Sequence, residues 1–241
     1  MEAENNKKKS APDHHYLGHR HRLRERFNCI GPQSLQEYEL LELLLTYVLP
    51  RRDVKPIAKE LLERFGSIRG IFEADEDSLT SVPYIKQKFT TLLKLIKEIN
   101  AVYHKQKAAE VPVTENIEEI VTYWMAKIGD KKEEEFHVLY LDSNAKIMKD
   151  ESFPAQDFHF SGTIDKTVVY PRKIIEQGIR HKAYGIIVAH NHPNGTPEPS
   201  EYDKNLTRVL DIATQAVGMV LFDHIIVSPA GYFSFRKERL L

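Results

Sequence analysis

The stretch AHNHPNGTPEPSEYD, residues 189–203, decides how this chain is interpreted. It follows the apolar run GIIVA at 185–189, which is typical of a buried strand. His190 and His192 lie two positions apart at the end of that strand, so their side chains leave on the same face. After a bend rich in proline and glycine, Ser200 begins a helix and Asp203 falls in its first turn. The stretch therefore predicts that two imidazoles and one carboxylate meet where a strand gives way to a helix.

Imidazole nitrogens and carboxylate oxygens are common ligands of Zn²⁺. Three protein ligands leave a fourth position for water, as in catalytic zinc sites, where the ion lowers the pKa of that water to near neutrality. We therefore expect His190, His192 and Asp203 to bind Zn²⁺. A structural alternative stays open, because Ser200 and Asp203 also have the spacing of a helix capping box. In that alternative the two histidines are ordinary polar residues at the end of a strand.

From about residue 113 onward, some segments of the chain have the apolar periodicity of strands and others that of helices. Residues 115–128 have helical spacing, and FHVLYLD with IMKDESF reads as a hairpin. GMVLFDHIIVS and GYFSF are two further strands, and the segment that follows Ser200 is helical. We expect residues 113–241 to form a mixed α/β domain, with a mixed β-sheet flanked by helices.

The N-terminal part of the chain has helical periodicity instead. Leucines recur at helical spacing in SLQEYELLELLLTYVL, where Ser34 and Glu37 have capping-box spacing. These patterns predict an all-helical domain at 27–105, and the loss of apolar periodicity predicts a linker at about 105–113. The basic run LGHRHRLRER belongs to residues 1–26, which we expect to be a flexible N-terminal segment.

Composition excludes several classes of protein. The 241 residues are 41% hydrophobic and 29% charged with a net charge of −1, which gives no support for nucleic acid or membrane as a partner of the whole protein. Cys29 is the single cysteine, so an intramolecular disulfide and a cysteine-based zinc site are excluded. The polar N-terminus and the short apolar runs predict a cytoplasmic protein with no membrane partner.

The string of His-x-His, seven residues, Ser, two residues and Asp resembles the JAMM signature of MPN+ metallopeptidases. A wider similarity to the bacterial RadC family covers nearly the whole chain. The segments that carry it are EYELLELLLTYVLPRRDVKPIAKELLERFGS, FHVLYLD, SGT, HNHPNG with PSEYD, and FDHIIVS. The resemblance implies a small helical N-terminal domain joined to a JAMM-type α/β domain.

The resemblance also assigns roles to residues. It implies a glutamate base just ahead of a strand beside the site, for which we choose Glu135, with Glu133 and Glu134 as rivals because three consecutive glutamates leave the register open. Ser200 would stabilise an oxyanion. Asp223 and His224 are candidates for contacts behind the metal ligands, and His224 serves equally well as a core histidine.

The function implied is a zinc-dependent hydrolase that cleaves a peptide or isopeptide bond in a protein or peptide substrate. An alternative is a non-enzymatic module of DNA repair or recombination that binds DNA or protein. The family's N-terminal domain resembles a helix-hairpin-helix, whose glycine turn presents N–H groups to DNA phosphates. Here Tyr84 and Lys86 stand where those glycines are expected, which weakens the case for DNA as a partner. An inactive JAMM-type scaffold is a third alternative.

Overall fold

The computed structural model describes residues 15–154 and 171–241 and divides the chain into two compact units, Met1–Lys94 and Leu95–Leu241. The described part of the first unit is helical, as the leucine spacing predicted. The helices of this unit are α1 (His15–Ile30), α2 (Glu37–Val48), α3 (Lys55–Phe65), α4 (Ile68–Glu73), α5 (Glu76–Thr80) and the start of α6 (Gln87–Ala109), with a short 3-10 turn at Pro32–Ser34.

The first unit has a core built from the apolar faces of these helices. Leu45 of α2, Leu61 of α3 and Phe89 of α6 are buried in one cluster. The capping box of α2 is formed by Gln36 and Glu39 and not by Ser34 and Glu37, because Ser34 ends the preceding 3-10 turn.

Helix α1 corrects the prediction of a flexible segment at 1–26. Arg20 is buried and donates hydrogen bonds to the carbonyl oxygens of Leu49, Pro50 and Arg52, just beyond the end of α2. These carbonyls have no partner within a helix, so the guanidinium takes the place of a cap. Residues 15–26 therefore belong to a packed helix, and residues 1–14 lie outside the described part of the chain.

The second unit has the predicted mixed α/β architecture. Its strands form one sheet in the order β2-β1-β3-β4-β5, in which β3 and β4 are parallel and the other neighbours are antiparallel. Helix α9 connects the two parallel strands. Besides the rest of α6, the elements are α7 (Ile117–Ile128), β1 (Glu135–Leu141), β2 (Ile147–Pro154), α8 (Pro171–His181), β3 (Gly185–Asn191), α9 (Glu201–Ala216), β4 (Val220–Ser228) and β5 (Gly231–Ser234).

The sheet has helices on both faces, and β3 contributes to both cores. Ile187 and Ala189 pack in the core that contains Trp124 of α7. Ile186 and Val188 pack in the core that contains residues of α8 and α9. Because side chains alternate along a strand, the next residue, His190, continues the α8/α9 face.

Strand β4 contains a bulge. Its pairing with β3 passes from Ile186 opposite Leu221 to Ile187 opposite Asp223, so Phe222 is an extra residue. Leu221 packs on the α8/α9 face and Phe222 packs on the α7 face. The bulge allows residue 224, three positions after Leu221, to return to the α8/α9 face.

The predicted linker at 105–113 is only partly irregular. Helix α6 continues to Ala109, and Val113 is buried and donates its N–H to the carbonyl of Ala145. The division into units falls between Lys94 and Leu95 instead. The motif SGT at 161–163 lies outside the described residues. Among the helices that are described, none is long and apolar enough to cross a membrane.

Candidate metal centre

The structure brings His190, His192 and Asp203 together. The Nε2 atoms of the two histidines are 3.0 Å apart. Nε2 of His190 lies 3.2 Å from Oδ1 of Asp203, and Nε2 of His192 lies 3.6 Å from Oδ2. One ligand atom from each residue falls within 4.8 Å of the others. His190 and Asp203 are buried whereas His192 is partly exposed, so the cluster is open on the side of His192.

The end of β3 fixes the two histidines. The N–H of His192 donates to the carbonyl of Val227 at 2.8 Å, which continues the pairing with β4. The ring of His190 stacks on Phe136 of β1, with centroids 6.0 Å apart. In the bend that follows, Ser228 donates its hydroxyl to the carbonyl of Gly195, whose φ of 97° favours glycine. Neighbouring strands therefore hold the ligands before any ion binds.

Ser200 and Asp203 form the predicted capping box, and the same bonds orient the carboxylate. The N–H and hydroxyl of Ser200 donate to Oδ2 of Asp203 at 2.7 and 2.6 Å, and the N–H of Asp203 donates to Ser200 Oγ at 3.2 Å. Because Oδ2 is occupied by these donors, Oδ1 points to His190. The structural and the metal-binding interpretations are thus compatible, since one capping box serves both.

A chain of hydrogen bonds behind His190 determines which of its nitrogens carries the proton. Thr207 donates its single hydroxyl proton to the carbonyl of Asp203 at 2.6 Å, so it accepts from Nδ1–H of His224 at 2.7 Å. Nε2 of His224 is then an acceptor, 2.9 Å from Nδ1 of His190. Complete burial lowers the pKa of His224 well below its ordinary value, which keeps this ring neutral. His190 therefore carries its proton on Nδ1 and has a lone pair on Nε2.

A separate hydrogen bond gives His192 the same tautomer, with the proton on Nδ1 and the lone pair on Nε2. Its Nδ1 lies 3.0 Å from the carbonyl of Thr196, which can only accept, so Nδ1 carries a proton. Nε2 of His192 and Nε2 of His190 then present lone pairs to each other and to the carboxylate of Asp203. A divalent metal ion fits such a group of acceptors.

The negative charge of Asp203 also suits it to bind a metal ion. Burial raises the pKa of Asp203, but the imidazoles of His190 and His192, whenever they carry a proton on Nε2, and the bonds from Ser200 outweigh this effect and hold the pKa well below its usual range. Asp203 is thus ionised at neutral pH and supplies a negative oxygen ligand.

The glutamate beside the ligands is Glu134. Its Oε1 lies 4.0 Å from Nε2 of His190. Glu135 faces away, because its carboxylate contacts Lys131 at 2.6 Å and His137 at 3.3 Å. Burial raises the pKa of Glu135, but these two partners more than offset it and lower the pKa overall. The expectation that Glu135 lies beside the ligands is therefore corrected: its rival Glu134 has that place, on the face of Phe136 as strand alternation predicts.

Comparison with known proteins agrees with this geometry. A family model described as the RadC-like JAB domain matches residues 114–240. A UPF0758 protein of Fusobacterium nucleatum subsp. nucleatum is 37% identical over 231 residues, which cover 93% of this chain and 97% of the relative. The chain belongs to the RadC family. The candidate metal centre lies inside the matched JAB domain, which suggests a JAMM-type hydrolase family.

Asp223 and His224 occupy opposite faces of the sheet in this RadC-family chain. His224 contacts His190, as described above. Asp223 instead accepts from Ser234 Oγ at 2.5 Å and from the N–H of Arg236 at 3.0 Å, and it lines a cavity of about 380 Å³ beside α7. Burial raises the pKa of Asp223. Of the two candidates, only His224 is in a position to support a metal ligand.

Two residues of the JAB domain that contact the centre were missed from sequence. Thr207 follows Asp203 by four residues and so lies on the same face of α9, a spacing that offered a usable signal. Asn191 stands between the two histidines, and strand alternation sends its side chain to the opposite face. Nothing in the local pattern indicated what it would contact there.

Proposed function

We propose that this protein is a metal-dependent hydrolase of peptide or isopeptide bonds and that its metal is Zn²⁺. The observation that carries the proposal is the convergence of the Nε2 atoms of His190 and His192 with the Asp203 carboxylate. Two nitrogens and one oxygen form the ligand set typical of catalytic zinc. Membership of the RadC family supports the same assignment.

Each residue has a distinct role in this proposal. His190, His192 and Asp203 hold the ion, which when bound would lower the pKa of a coordinated water molecule. Glu134 accepts a proton on its carboxylate and returns it to the leaving amine, as a general base and then a general acid. Its partial exposure, 30% for the side chain, leaves it accessible from solvent.

Ser200 keeps its predicted oxyanion role as part of the proposal. Its hydroxyl proton is directed to Asp203 Oδ2 at 2.6 Å in this structure. To stabilise a developing negative charge, the hydroxyl must rotate away from Asp203 and donate to the substrate. Its backbone N–H continues to hold the carboxylate during that rotation.

DNA binding through the helical hairpin is not part of the proposal. Tyr84 adopts the left-handed backbone expected of a glycine, with φ of 69°. Its half-exposed ring is covered by the guanidinium of Arg52, 3.7 Å from the centroid. A bulky stacked pair at this turn hinders the close approach of a phosphate to the backbone.

Metal content and turnover test the proposed function together. The zinc-loaded full chain is incubated with mixed peptides and lysine isopeptides, and cleavage is followed by mass spectrometry. We expect about one zinc per chain, and we expect Glu134→Gln to retain zinc while losing roughly 100-fold or more in rate. Glu133→Gln and Glu135→Gln are matched controls and should stay active. Equal zinc in the wild type and in a His190→Ala/His192→Ala variant would refute the proposal, as would full activity of Glu134→Gln.

A further inference from the structure

Asn191 ties together the backbone of the segment that carries Glu134. Its Oδ1 accepts the N–H of Glu135 at 2.7 Å. Its Nδ2 donates to the carbonyl oxygens of Lys131 and Glu133 at 3.2 and 3.0 Å. The side chain is buried, and each of the three bonds joins residues that are more than fifty positions apart in sequence. One amide thus uses its acceptor and both its donors on a single short connection between α7 and β1.

The position of Asn191 in the sheet explains why a side chain is needed there. The pairing of β1 with β3 ends at Phe136 opposite His190. Glu135 still pairs with Pro154 of β2, but β3 offers its N–H no backbone partner, and Asn191 Oδ1 supplies an acceptor instead. Glu134 comes next, and its carboxylate leaves the sheet toward His190. The side-chain amide of Asn191 therefore takes the place of a backbone partner for Glu135, the residue that follows the proposed base.

We propose that Asn191 is a positioning residue for Glu134, an inference that rests on the proposed function. Alternation along the end of β3 sends His190 and His192 to one face for the metal and Asn191 to the other face for the base. The same strand end thereby sets the distance between the ligands and the proton acceptor. Both parts are fixed by a single rigid element, which is how catalytic geometry is maintained within a fraction of an ångström.

The other side-chain bond of this connection is weaker. Lys131 and Glu135 form an ion pair at 2.6 Å, but their side chains are 42% and 27% exposed. Exposed pairs of this kind contribute little. The buried amide, whose removal leaves one N–H and two carbonyls without their partner, dominates the placement of the segment. Lys131→Ala is therefore a matched control for loss of a side-chain bond in the same segment.

The cobalt-substituted full chain gives a readout that does not require a substrate. Cobalt(II) occupies zinc sites and has visible absorption bands that respond to groups beside the ion. We expect Glu134→Gln to change this spectrum at constant cobalt content, and Asn191→Ala to reproduce the change. Lys131→Ala should give the wild-type spectrum. A loss of stability alone, with the base still in place, would leave the bands unchanged.

A double variant separates an effect through Glu134 from a direct effect on the neighbouring histidines. If Asn191 acts through Glu134, the Asn191→Ala/Glu134→Gln spectrum equals that of Glu134→Gln. Additive changes would overturn the inference, and so would a wild-type spectrum for Asn191→Ala. An unchanged spectrum for Glu134→Gln, or no cobalt bound by the wild type, counts against the proposed function itself.

Hydrogen exchange in the wild-type chain tests whether Asn191 holds the N–H of Glu135. This test does not depend on the metal or on how well the variants fold. The amide of Glu135 should exchange at least tenfold more slowly than that of Lys132, and the difference should persist after chelation. Exchange of Glu135 at the rate of an unprotected amide would overturn the inference. Asn191→Leu, similar in volume but without the amide, should lose this protection.

Discussion

Nδ1 of His190 lies 2.9 Å from Nε2 of His224, and both rings are buried. The bond joins a proposed metal ligand to a histidine that itself touches no ion. Because Thr207 fixes the proton of His224, the bond leaves the Nε2 lone pair of His190 free for the metal. The first prediction follows from this relationship.

Replacing His224 should weaken the metal centre without removing a ligand. His224→Phe can retain the stacking on Phe235, whose ring centroid is 4.8 Å away, but it offers no acceptor to His190. We expect zinc affinity to fall about 10- to 100-fold, as for other partners behind a metal-binding histidine. Competition with a chromophoric chelator measures the change. His224→Gln, which restores an acceptor, should lose less, and equal affinities for all three proteins would contradict the prediction.

Variants of Ser200 should distinguish its role in capping α9 from its proposed role in catalysis. Ser200→Ala removes the hydroxyl from the cap of α9 and should cost about 1 kcal/mol in the free energy of unfolding measured with urea. If the hydroxyl also stabilises an oxyanion, turnover falls by about two orders of magnitude. Ser200→Asp should preserve the cap and be nearly inactive, because a second carboxylate then adjoins Asp203. A Ser200→Asp protein with the wild-type rate would reduce Ser200 to a structural residue.

Zinc affinity should depend on pH near neutrality. The hydrogen bond to Asp203 raises the pKa of His192 above its ordinary value of 6.5. A proton on Nε2 of His192 competes with the metal, so affinity falls as the pH drops through that raised pKa. Dissociation constants at pH 8 and pH 6 should differ by about tenfold or more. A constant affinity over this range would show that no protonatable nitrogen binds the ion.

Asp150 should make the stability of the second unit depend on pH in the acid range. Burial raises the pKa of Asp150, but the nearby ring of His137 and the hydrogen bonds from Lys105 and Tyr123 outweigh it and lower the pKa far below the ordinary value of 3.8. A depressed pKa contributes stability above the unfolded pKa, and this stability is lost as the pH falls below about 4. Urea unfolding at pH 7 and pH 3 should show a smaller difference for Asp150→Asn than for the wild type. Identical differences would disprove this role.

Arg20 should be a main stabilising residue of the first unit. Arg20→Met leaves three carbonyl oxygens at the end of α2 without their donor and should cost roughly 2 kcal/mol or more. Arg22→Met, at an exposed position of the same helix, is the matched control and should change stability by less than about 0.5 kcal/mol. Thermal unfolding of the full chain compares the two. Similar losses for both variants would mean that α1 is held by something other than Arg20.

Local rules allowed much of the candidate centre to be predicted. His190 and His192 share a face because a strand has a period of two, and the Ser200–Asp203 cap depends on four consecutive residues. The choice between Glu134 and Glu135 depends on how β1 pairs with β3, which three consecutive glutamates cannot reveal. The local pattern was correct for these two features, whereas it misplaced the capping box of α2 by two residues.

The features that were not predicted depend on contacts between residues far apart in sequence. The polar sequence of α1 has weak helical periodicity, and its place in the fold depends on carbonyls about thirty residues away that accept from Arg20. Which of Asp223 and His224 faces the centre depends on the β4 bulge, because alternation alone places Leu221 and His224 on opposite faces. These features follow from tertiary structure, which overrides the local pattern.

The bulge at Phe222 has a consequence for how the length of this chain can vary. In a ladder without the extra residue, Leu221 would pair opposite Ile186 and Asp223 opposite Ile187, as they already do. Deletion of Phe222 would thus straighten β4 while leaving His224 beside His190. An extra residue between Asp223 and His224 would instead shift the phase of the strand and turn His224 out of the centre. The strand therefore tolerates the loss of a residue two positions before the histidine that supports the proposed metal ligands.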